Sequence, residues 1–238
     1  MLKFNTENTP NVYIISDLHL THLKIIKYCN RPYELSEEGV EKMKEDLLSE
    51  FDKLPATCTI INNGDLLDTK NDHSLEEVKQ YVKRMKGPKG LRKLILVLGN
   101  HDRCKLHGSK LSFYYAAGFD AVYDSPIIVD DNILLSHEPV YLKPGSNFIN
   151  FYGHTHTEDV CKKELMNNEG LSKYFMYDYD NWSMIAKVCR KDNIPEPNLE
   201  DYFKWPEKGV LPENYVNVCW DATHKILDYK QLVNSCKH

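Results

Sequence analysis

The sequence predicts an α/β fold, in which the first half of the chain builds a parallel sheet and the second half adds further strands. Up to about residue 117, short apolar runs alternate with amphipathic helical segments, a pattern typical of parallel strands joined by crossover helices. From about residue 121 the apolar runs follow one another and are separated only by turn residues. The 238 residues suffice for one large domain with a buried core. We therefore expect a single domain over residues 1–238, with its helices on the outside.

Three strands and four helices are predicted in the first half. The strands are expected at 12–15, 58–61 and 94–98, and the helices at 23–29, 37–54, 75–86 and 109–117. Ser36 is the expected N-cap of the second helix, because two glutamates follow it in the first turn, where the helix dipole favours negative charge. Ser74 opens the third helix as part of a capping box with Glu77. Gly118 is expected to end the fourth helix.

The second half is predicted to be mostly β. Strands are expected at 121–123, 127–129, 133–135 and 148–152, and a last strand pair at 216–220 and 225–229. Turn residues at 125–126 and 130–132 separate the first three of these strands. The sequence therefore indicates that this half continues the fold with strands.

Composition and charge indicate a globular protein of the cytoplasm. Hydrophobic residues make up 42% of the chain, the net charge is −5 and the sequence pI is about 6.1. No global field therefore attracts the protein to an acidic membrane or to nucleic acid, which is a possible but not a favoured partner. The N-terminus lacks the apolar run of a secretory signal, no stretch is apolar enough to span a membrane, and the seven cysteines are scattered like reduced thiols. Nothing in the sequence indicates the oligomeric state.

Five short motifs follow predicted strands in order, and they contain five of the ten histidines. Open α/β sheets bind ligands at the carboxyl ends of their strands, and oxygen and nitrogen side chains suit divalent metals. The motifs are Asp17-Leu18-His19, Gly64-Asp65, Gly99-Asn100-His101-Asp102, Ser136-His137-Glu138 and Gly153-His154-Thr155-His156. The candidate metal ligands in them are Asp17, His19, Asp65, Asn100, His137, His154 and His156.

A charge count favours an anionic phosphoester as the substrate of such a centre. Two divalent cations bring four positive charges, and Asp17, Asp65 and a bridging hydroxide remove three, so about one positive charge remains. Two metals can turn water into a nucleophile and stabilise the charge that develops on a phosphoryl group. His101 follows a candidate ligand but is not expected to be one. Paired with Asp102, it would stabilise or protonate the leaving oxygen.

Three side chains near the motifs are candidates for contact with substrate. His22 comes three residues after His19, and Arg31 and Arg103 flank motif loops, from which a guanidinium can bind phosphate oxygens. The alternative for the arginines is an ordinary ion pair at the surface.

The stretch from about 157 to 215 directly follows the last motif and is longer than ordinary loops. We therefore expect an insertion or lid that sets the choice of substrate. Its aromatic cluster at 174–182 could stack on nucleobases or pack the insertion onto the body of the domain.

The ordered motifs resemble those of the calcineurin-like metallophosphoesterase superfamily, whose pattern is D-x-H, G-D, G-N-H-(D/E), H and G-H-x-H. The match spans residues 12–156, and a closing strand near 216–229 would complete the fold. The opening stretch Asp17–Tyr33, which includes Asn30-Arg31-Pro32, resembles the small stand-alone bacterial and phage phosphoesterases of that superfamily.

The resemblance implies a four-layer αββα sandwich of two mixed β-sheets flanked by helices, with a dinuclear metal site. It also implies that His101 and Asp102 act on the leaving group. By motif matching, one metal is held by Asp17, His19, Asp65 and His156, and the other by Asp65, Asn100, His137 and His154.

The predicted function is a metal-dependent phosphoester hydrolase. A phosphodiesterase with a small or nucleotide-like substrate is favoured, and a phosphomonoesterase or nuclease with the same centre is the alternative. A non-catalytic scaffold that binds a partner protein is a further alternative, which the complete set of ligands disfavours. Manganese is the expected metal, but a site of Asp, His and Asn also accepts iron, zinc, nickel or cobalt.

Overall fold

The computed structural model describes residues 2–4, 9–68, 73–102, 110–140, 142, 146–156 and 214–236. Arg103 and nearly all of the expected insertion at about 157–215 lie outside these ranges. The domain boundaries and the role of the insertion therefore stay predictions. Within the described ranges, no helix combines the length and the apolar character needed to cross a membrane.

The first sheet has five strands in the order β4-β3-β2-β1-β9. The strands are β1 (Val12–Ile15), β2 (Thr59–Asn62), β3 (Lys93–Val97), β4 (Ala121–Tyr123) and β9 (Leu227–Asp228). Strands β1 to β4 are parallel, and β9 pairs antiparallel with β1. Because β1, β2 and β3 are parallel neighbours, the loops that follow them emerge at one edge of the sheet.

Four helices pack against this sheet, and their predicted caps are confirmed. The helices are α1 (Leu23–Tyr28), α2 (Glu37–Asp52), α3 (Leu75–Met85) and α4 (Lys110–Ala117). The Ser36 side chain accepts a hydrogen bond from the Gly39 N–H at 3.1 Å, and Ser74 accepts one from the Glu77 N–H at 3.1 Å. Gly118 follows α4 with a φ of 110°, as expected for a glycine that ends a helix.

The second sheet has four strands in the order β5-β6-β7-β8. They are β5 (Ile127–Val129), β6 (Ile133–Ser136), β7 (Ile149–Tyr152) and β8 (Tyr215–Asn217). β5 is antiparallel to β6, whereas β6, β7 and β8 run parallel. Both sheets are therefore mixed.

The expected last strand pair is wrong. β8 joins β7 in the second sheet, and β9 joins β1 in the first sheet, so the two strands do not pair with each other. A short helix, α5 (Trp220–Thr223), separates them, and α6 (Tyr229–Ser235) follows β9. The segment between the two strands is a helix and not a tight hairpin turn. The Asp221 carboxylate on this helix is buried in an ion pair with Arg31, which holds the helix against the loops of the domain.

The two sheets pack face to face, and alternate residues of each strand face different partners. In β3, Leu94 and Leu96 pack towards the helices, whereas Ile95 and Val97 join the apolar cluster between the sheets. Phe151 of the second sheet is fully buried in that same cluster. This period of two is what a strand covered on both faces requires. The predicted fold class, α/β with two mixed sheets flanked by helices, is confirmed.

Candidate metal centre

The seven predicted metal ligands converge in the loops that follow five strands of the two sheets. β1, β2 and β3 of the first sheet and β6 and β7 of the second sheet each end at one of the motifs. Five of the seven ligands have a positive φ, between 48° and 72°, which is rare for residues other than glycine. They are Asp17, His19, Asp65, His154 and His156. Such strained backbone is concentrated at functional sites.

The first cluster of ligand atoms is formed by Asp17, His19 and His156. The Asp17 Oδ1 atom lies 3.9 Å from the Nε2 atom of His19 and 3.9 Å from the Nε2 atom of His156. All three ligand atoms lie within 4.8 Å of one another. This is the set that the sequence assigned to one metal, apart from Asp65.

The second cluster is formed by Asp65, His137 and His154, with Asn100 beside them. The Asn100 Oδ1 atom lies 3.0 Å from the His137 Nε2 atom and 3.0 Å from the His154 Nδ1 atom. The His137 Nε2 atom is also 3.3 Å from Asp65 Oδ2. The structure therefore brings together the four residues that were assigned to the other metal.

The Asp65 carboxylate lies between the two clusters. Its Oδ2 atom is 3.5 Å from the His19 Nε2 atom of the first cluster and 3.3 Å from the His137 Nε2 atom of the second. Its Oδ1 atom accepts a hydrogen bond from the His101 N–H at 2.7 Å, which fixes the orientation of the carboxylate. A single oxygen in this position can contact cations on both sides, as the bridging role requires.

Two buried polar atoms indicate that the first cluster is built for a cation. Among the described residues, neither Asp17 Oδ1 nor His19 Nε2 has a hydrogen-bond partner, and both residues are almost fully buried. A buried polar atom without a partner costs about 1–3 kcal/mol. A divalent cation between these atoms would satisfy both, and the oxygen and nitrogen donors fit such an ion.

Backbone carbonyls orient two of the imidazole rings. The Nδ1 atom of His137 lies 3.0 Å from the carbonyl oxygen of Asn63, and that of His19 lies 3.3 Å from the carbonyl oxygen of Leu67. An Nδ1–H that donates to a carbonyl leaves Nε2 as the atom with a free lone pair. Hydrogen bonds from Nδ1–H to a carbonyl hold metal-binding histidines in one tautomer.

The electrostatics of the cluster favour cation binding at neutral pH. Burial alone would raise the pKa values of Asp17 and Asp65, but the neighbouring histidines, His137 foremost, together outweigh it and hold both below the usual range. Burial lowers the pKa of His19 to about 3 and, together with His137, lowers that of His154 to about 4. Ionised carboxylates and neutral imidazoles are the forms that bind metals.

The other two imidazoles behave differently. Burial opposes the charged form of His137, but Asp65 and Asp17 outweigh it and raise its pKa to about 10. Burial likewise opposes the charged form of His156, but its hydrogen bond to the Asp221 carboxylate, together with Cys29 and Asp17, raises its pKa to about 11. A cation that binds to the His137 and His156 rings would have to displace a proton from each of them.

The expected pairing of His101 with Asp102 is not what the structure shows. The Asp102 carboxylate accepts hydrogen bonds from three backbone N–H groups, at 2.8 to 2.9 Å, and thereby joins the loops after β2 and β3. The carboxylate beside the His101 ring belongs to Asp68, whose Oδ1 atom is 3.9 Å from His101 Nδ1. Asp102 therefore organises the loops, because its oxygens are directed at their backbone.

The three candidates for substrate contact have different outcomes. His22 lies beside the centre, with its ring centroid 5.3 Å from that of His19 and 5.6 Å from that of His101. Arg31 is buried and directs its guanidinium to Asp221 and to backbone carbonyls, so the geometry does not support the expected contact with phosphate. Arg103 lies outside the described residues.

The glycines of the motifs are required by close packing. Gly64 has a φ of 104°, and a Cβ atom there would overlap the ring of His137. A Cβ atom on Gly153 would overlap the side chains of Ser16 and Asp17. The glycines therefore allow ligands from distant parts of the chain to approach one another.

Sequence reasoning missed the carboxylates that support the ligands. Asp68 carried a usable signal, because it follows Asp65 by three residues in the same strand-end loop. Asp221, which contacts His156 at 2.8 Å, carried none, since 65 residues separate the two in the chain. Cys219 likewise donates to Asp17 Oδ2 at 3.1 Å across 202 residues.

Comparisons with known proteins identify a family and two similar proteins. The family model for the calcineurin-like phosphoesterase matches residues 10–225. An uncharacterized protein of Methanocaldococcus jannaschii is 31% identical over 194 residues, which cover 77% of this chain and 93% of that protein. The chain is also similar to the crystal structure of Pseudomonas putida nuclease MPE, with a TM-score of 0.41 and 22% identity over 61% of this chain and 62% of that one.

The family match extends over most of the chain and includes every motif that supplies a predicted ligand. Enzymes of this family use a centre of two divalent metals, and the described residues contain carboxylate and imidazole clusters that can hold them. On this basis, the chain belongs to the calcineurin-like phosphoesterase family and is a metal-dependent hydrolase of phosphoester bonds.

Proposed function

We propose that the protein is a phosphodiesterase that acts on a small or nucleotide-like substrate at a centre of two divalent cations. Manganese is the favoured metal, because carboxylate, amide and imidazole ligands together suit it. The four described cysteines are free, and we place the enzyme in the cytoplasm for that reason.

The observation that carries the proposal is the Asp65 carboxylate between two clusters of buried ligand atoms, with Asp17 Oδ1 and His19 Nε2 left without a hydrogen-bond partner among the described residues. One cation would be held by Asp17, His19, Asp65 and His156, and the other by Asp65, Asn100, His137 and His154. When bound, the two cations supply the positive charge that activates water and stabilises the phosphoryl oxygens as charge develops on them.

His101 is the residue that we assign to the leaving group. Its ring lies 5.1 Å from that of His19, centroid to centroid, and its side chain is 29% exposed, whereas the side chain of His19 is only 1% exposed. The ring therefore borders the first cluster on its open side, where a substrate can reach it. An imidazolium in this position can donate a proton to the leaving oxygen.

Asp68 is proposed to support His101 in this role. Its carboxylate is 93% buried and lies 3.9 Å from His101 Nδ1 and 4.0 Å from His22 Nε2. The Asp68 side chain is thus placed to orient both rings.

The surroundings of His22 and Asp68 favour a leaving group without further phosphates. A groove of about 570 Å³ has both residues in its lining. Glu37, Glu41 and Glu77 also line it, against one lysine, Lys24. A polynucleotide that continued along this groove would meet repulsion between like charges, whereas a neutral alcohol would not.

The proposal is tested by hydrolysis assays on purified, manganese-loaded protein. The substrates are an aryl phosphodiester, the matching aryl monoester, cyclic nucleotides, dinucleoside monophosphates and single-stranded oligonucleotides. We expect the small diesters to give the highest kcat/KM. A higher value for the monoester or for long oligonucleotides would instead identify a phosphomonoesterase or a nuclease.

The matched variants are His137→Ala and His224→Asn. His137→Ala removes a ligand of the second cluster and is expected to abolish turnover of every ester. His224 is exposed and has a φ of 50°, a conformation that asparagine tolerates, so this control should keep wild-type activity. Full activity of the His137→Ala variant would contradict the proposal.

A further inference from the structure

A buried ion pair lies behind the first cluster. Arg31 and Asp221 are each only 6% exposed. The guanidinium donates to both Asp221 oxygens, from Nε at 2.8 Å and from Nη2 at 2.9 Å. It also donates to the carbonyl oxygens of Asp17 and Leu18, each at 2.9 Å. Arg31 therefore holds the backbone of the first metal-binding loop against α5.

The same carboxylate orients the last ligand of the first cluster. Asp221 Oδ2 lies 2.8 Å from the Nδ1 atom of His156. The opposite ring atom, Nε2, is thereby presented to Asp17 Oδ1 at 3.9 Å. Three hydrogen bonds to the Asp221 carboxylate, two from the Arg31 guanidinium and one from His156, thus link the buried arginine to a candidate metal ligand. Hydrogen bonds to charged groups are stronger than neutral ones.

The residues just before Asp221 make further contacts with the first loop, and we call the segment 218–221 the C-terminal clasp. The Ser16 N–H donates to the carbonyl of Val218 at 3.1 Å, and the Trp220 N–H donates to the carbonyl of Ser16 at 2.9 Å. The buried Cys219 thiol donates to Asp17 Oδ2 at 3.1 Å. The clasp therefore contacts both Asp17 and His156, two of the three members of the first cluster.

The second cluster is oriented by other elements. Asn63, at the end of β2, supplies the carbonyl that contacts His137 Nδ1 at 3.0 Å. Asn100 contacts both His137 and His154. These supports of the second cluster do not include Arg31 or Asp221, although the two clusters share Asp65 and the His154 N–H donates to Asp17 Oδ2 at 2.9 Å.

We propose that Arg31 and Asp221 are positioning residues for the first metal position, held by Asp17, His19 and His156, and that they set its affinity independently of the second position. The proposal rests on the dinuclear centre of the proposed function. Loss of the carboxylate that hydrogen-bonds to a metal-binding histidine typically weakens metal affinity about 10–100-fold. We expect a change of this size at the first position and none at the second.

The test isolates each metal position in its own background variant, and Arg31 or Asp221 is then substituted in each background. A His137→Ala background is designed to retain the first position, and a His19→Ala background the second. Binding of Mn²⁺ to each is measured by calorimetry and by electron paramagnetic resonance. In the first background, Asp221→Ala and Arg31→Met should raise the dissociation constant about 10–100-fold. In the second background, the same changes should leave it within about twofold.

Two further variants exclude a merely structural effect. Arg92 is also buried and donates to the backbone carbonyls of Leu54, Pro55 and Met85, so Arg92→Met removes a comparable arginine remote from the ligands. It should leave manganese binding unchanged in both backgrounds. If Asp221→Ala does not fold, Asp221→Asn replaces it, since it keeps an acceptor oxygen for His156 while it loses the charge. We expect Asp221→Asn to weaken Mn²⁺ binding at the first position by a smaller factor and to leave binding at the second position unchanged.

The outcomes distinguish this inference from the proposed function. If the unaltered protein binds fewer than two Mn²⁺ ions, the dinuclear centre itself is wrong. If it binds two, but the Asp221 and Arg31 variants bind Mn²⁺ as tightly as their backgrounds, the positioning role is wrong. Equal weakening of both positions would also overturn the proposal, because the pair would then act on the fold as a whole.

Discussion

At the scale of single residues, the metal centre depends on backbone conformations that most side chains avoid. Asp17, His19 and Asp65 all have a positive φ, which costs each of them roughly 1 kcal/mol. The surrounding hydrogen bonds maintain these conformations: the His19 N–H, for example, donates to the carbonyl of Asp65 at 3.0 Å. The ligand atoms are therefore directed inward at the expense of local backbone stability.

The glycine before Asp65 gives a prediction at this scale. Gly64→Ala should weaken manganese binding and destabilise the protein by about 2 kcal/mol or more, because its Cβ would overlap the His137 ring in addition to the strain of a positive φ. Gly90 also has a positive φ, of 63°, but a Cβ there meets open space. Gly90→Ala should therefore cost only about 1 kcal/mol and leave metal binding intact. Urea unfolding and manganese titration of both variants provide the comparison, and equal behaviour would refute the steric explanation.

The two aspartates near His101 give a second prediction. His101→Gln should lower kcat about 10²–10⁴-fold for an alkyl ester, whose leaving group needs a proton, and less for a nitrophenyl ester. Asp68→Asn should shift kcat in the same direction by a smaller factor, because it removes only the charge beside the ring.

Asp102→Asn is the matched variant for that prediction. Its carboxylate is occupied by three backbone N–H groups, so the substitution should lower the free energy of unfolding by about 1–3 kcal/mol. It should not alter the dependence of kcat on the leaving group. If Asp102→Asn reproduced the kinetic pattern of His101→Gln while Asp68→Asn did not, the result would support the pairing of His101 with Asp102 that the sequence predicted.

At the scale of elements, one side chain joins the two sheets directly beneath the metal centre. Asn63 follows β2 of the first sheet and is fully buried. Its amide nitrogen donates to the carbonyl oxygens of Ser136 in β6 and Phe151 in β7, and its own carbonyl contacts His137. The relative position of the sheets and the orientation of a metal ligand therefore depend on the same residue.

This arrangement predicts a large effect of Asn63→Ala on stability. Two buried carbonyls would lose a donor, although that of Phe151 also accepts from Asn150 Nδ2 at 3.4 Å. A buried group left without a partner costs about 1–3 kcal/mol. Asn132 makes a similar hydrogen bond to the carbonyl of Asn147 at 3.0 Å, but this bond is exposed to solvent. Asn132→Ala should therefore change the unfolding free energy by less than about 0.5 kcal/mol. Urea denaturation measures both, and a small loss for Asn63→Ala would contradict the proposed link between the sheets.

At the scale of the whole molecule, the centre draws its ligands from both sheets, so metal binding should stabilise the entire sandwich. Each cation bound only by the folded state adds about 2.7 kcal/mol when its free concentration is 100 times the dissociation constant. We expect the Tm to rise by several degrees on addition of Mn²⁺ and to fall after treatment with a chelator. The His137→Ala variant should show a smaller rise. An identical Tm with and without metal would contradict this coupling.

The sequence allowed the elements and the candidate ligands to be predicted because their signals are local. The strand before Asp17 is a run of four apolar residues, and the N-cap at Ser36 is followed at once by its glutamates. The supporting residues could not be predicted in this way. Asp221 meets Arg31 across 190 residues, and no spacing or composition marks that pair. The pairing of β8 and β9 with different sheets was missed for the same reason, since it depends on contacts made by the helix between them.

The crystal structure of the manganese-loaded protein, with anomalous diffraction used to locate the metal, tests the dinuclear centre most directly. We expect two anomalous peaks, one on either side of the Asp65 carboxylate. One should lie against Asp17, His19 and His156, and the other against Asn100, His137 and His154. A single peak, or peaks away from Asp65, would contradict the central claim that these loops form one dinuclear centre.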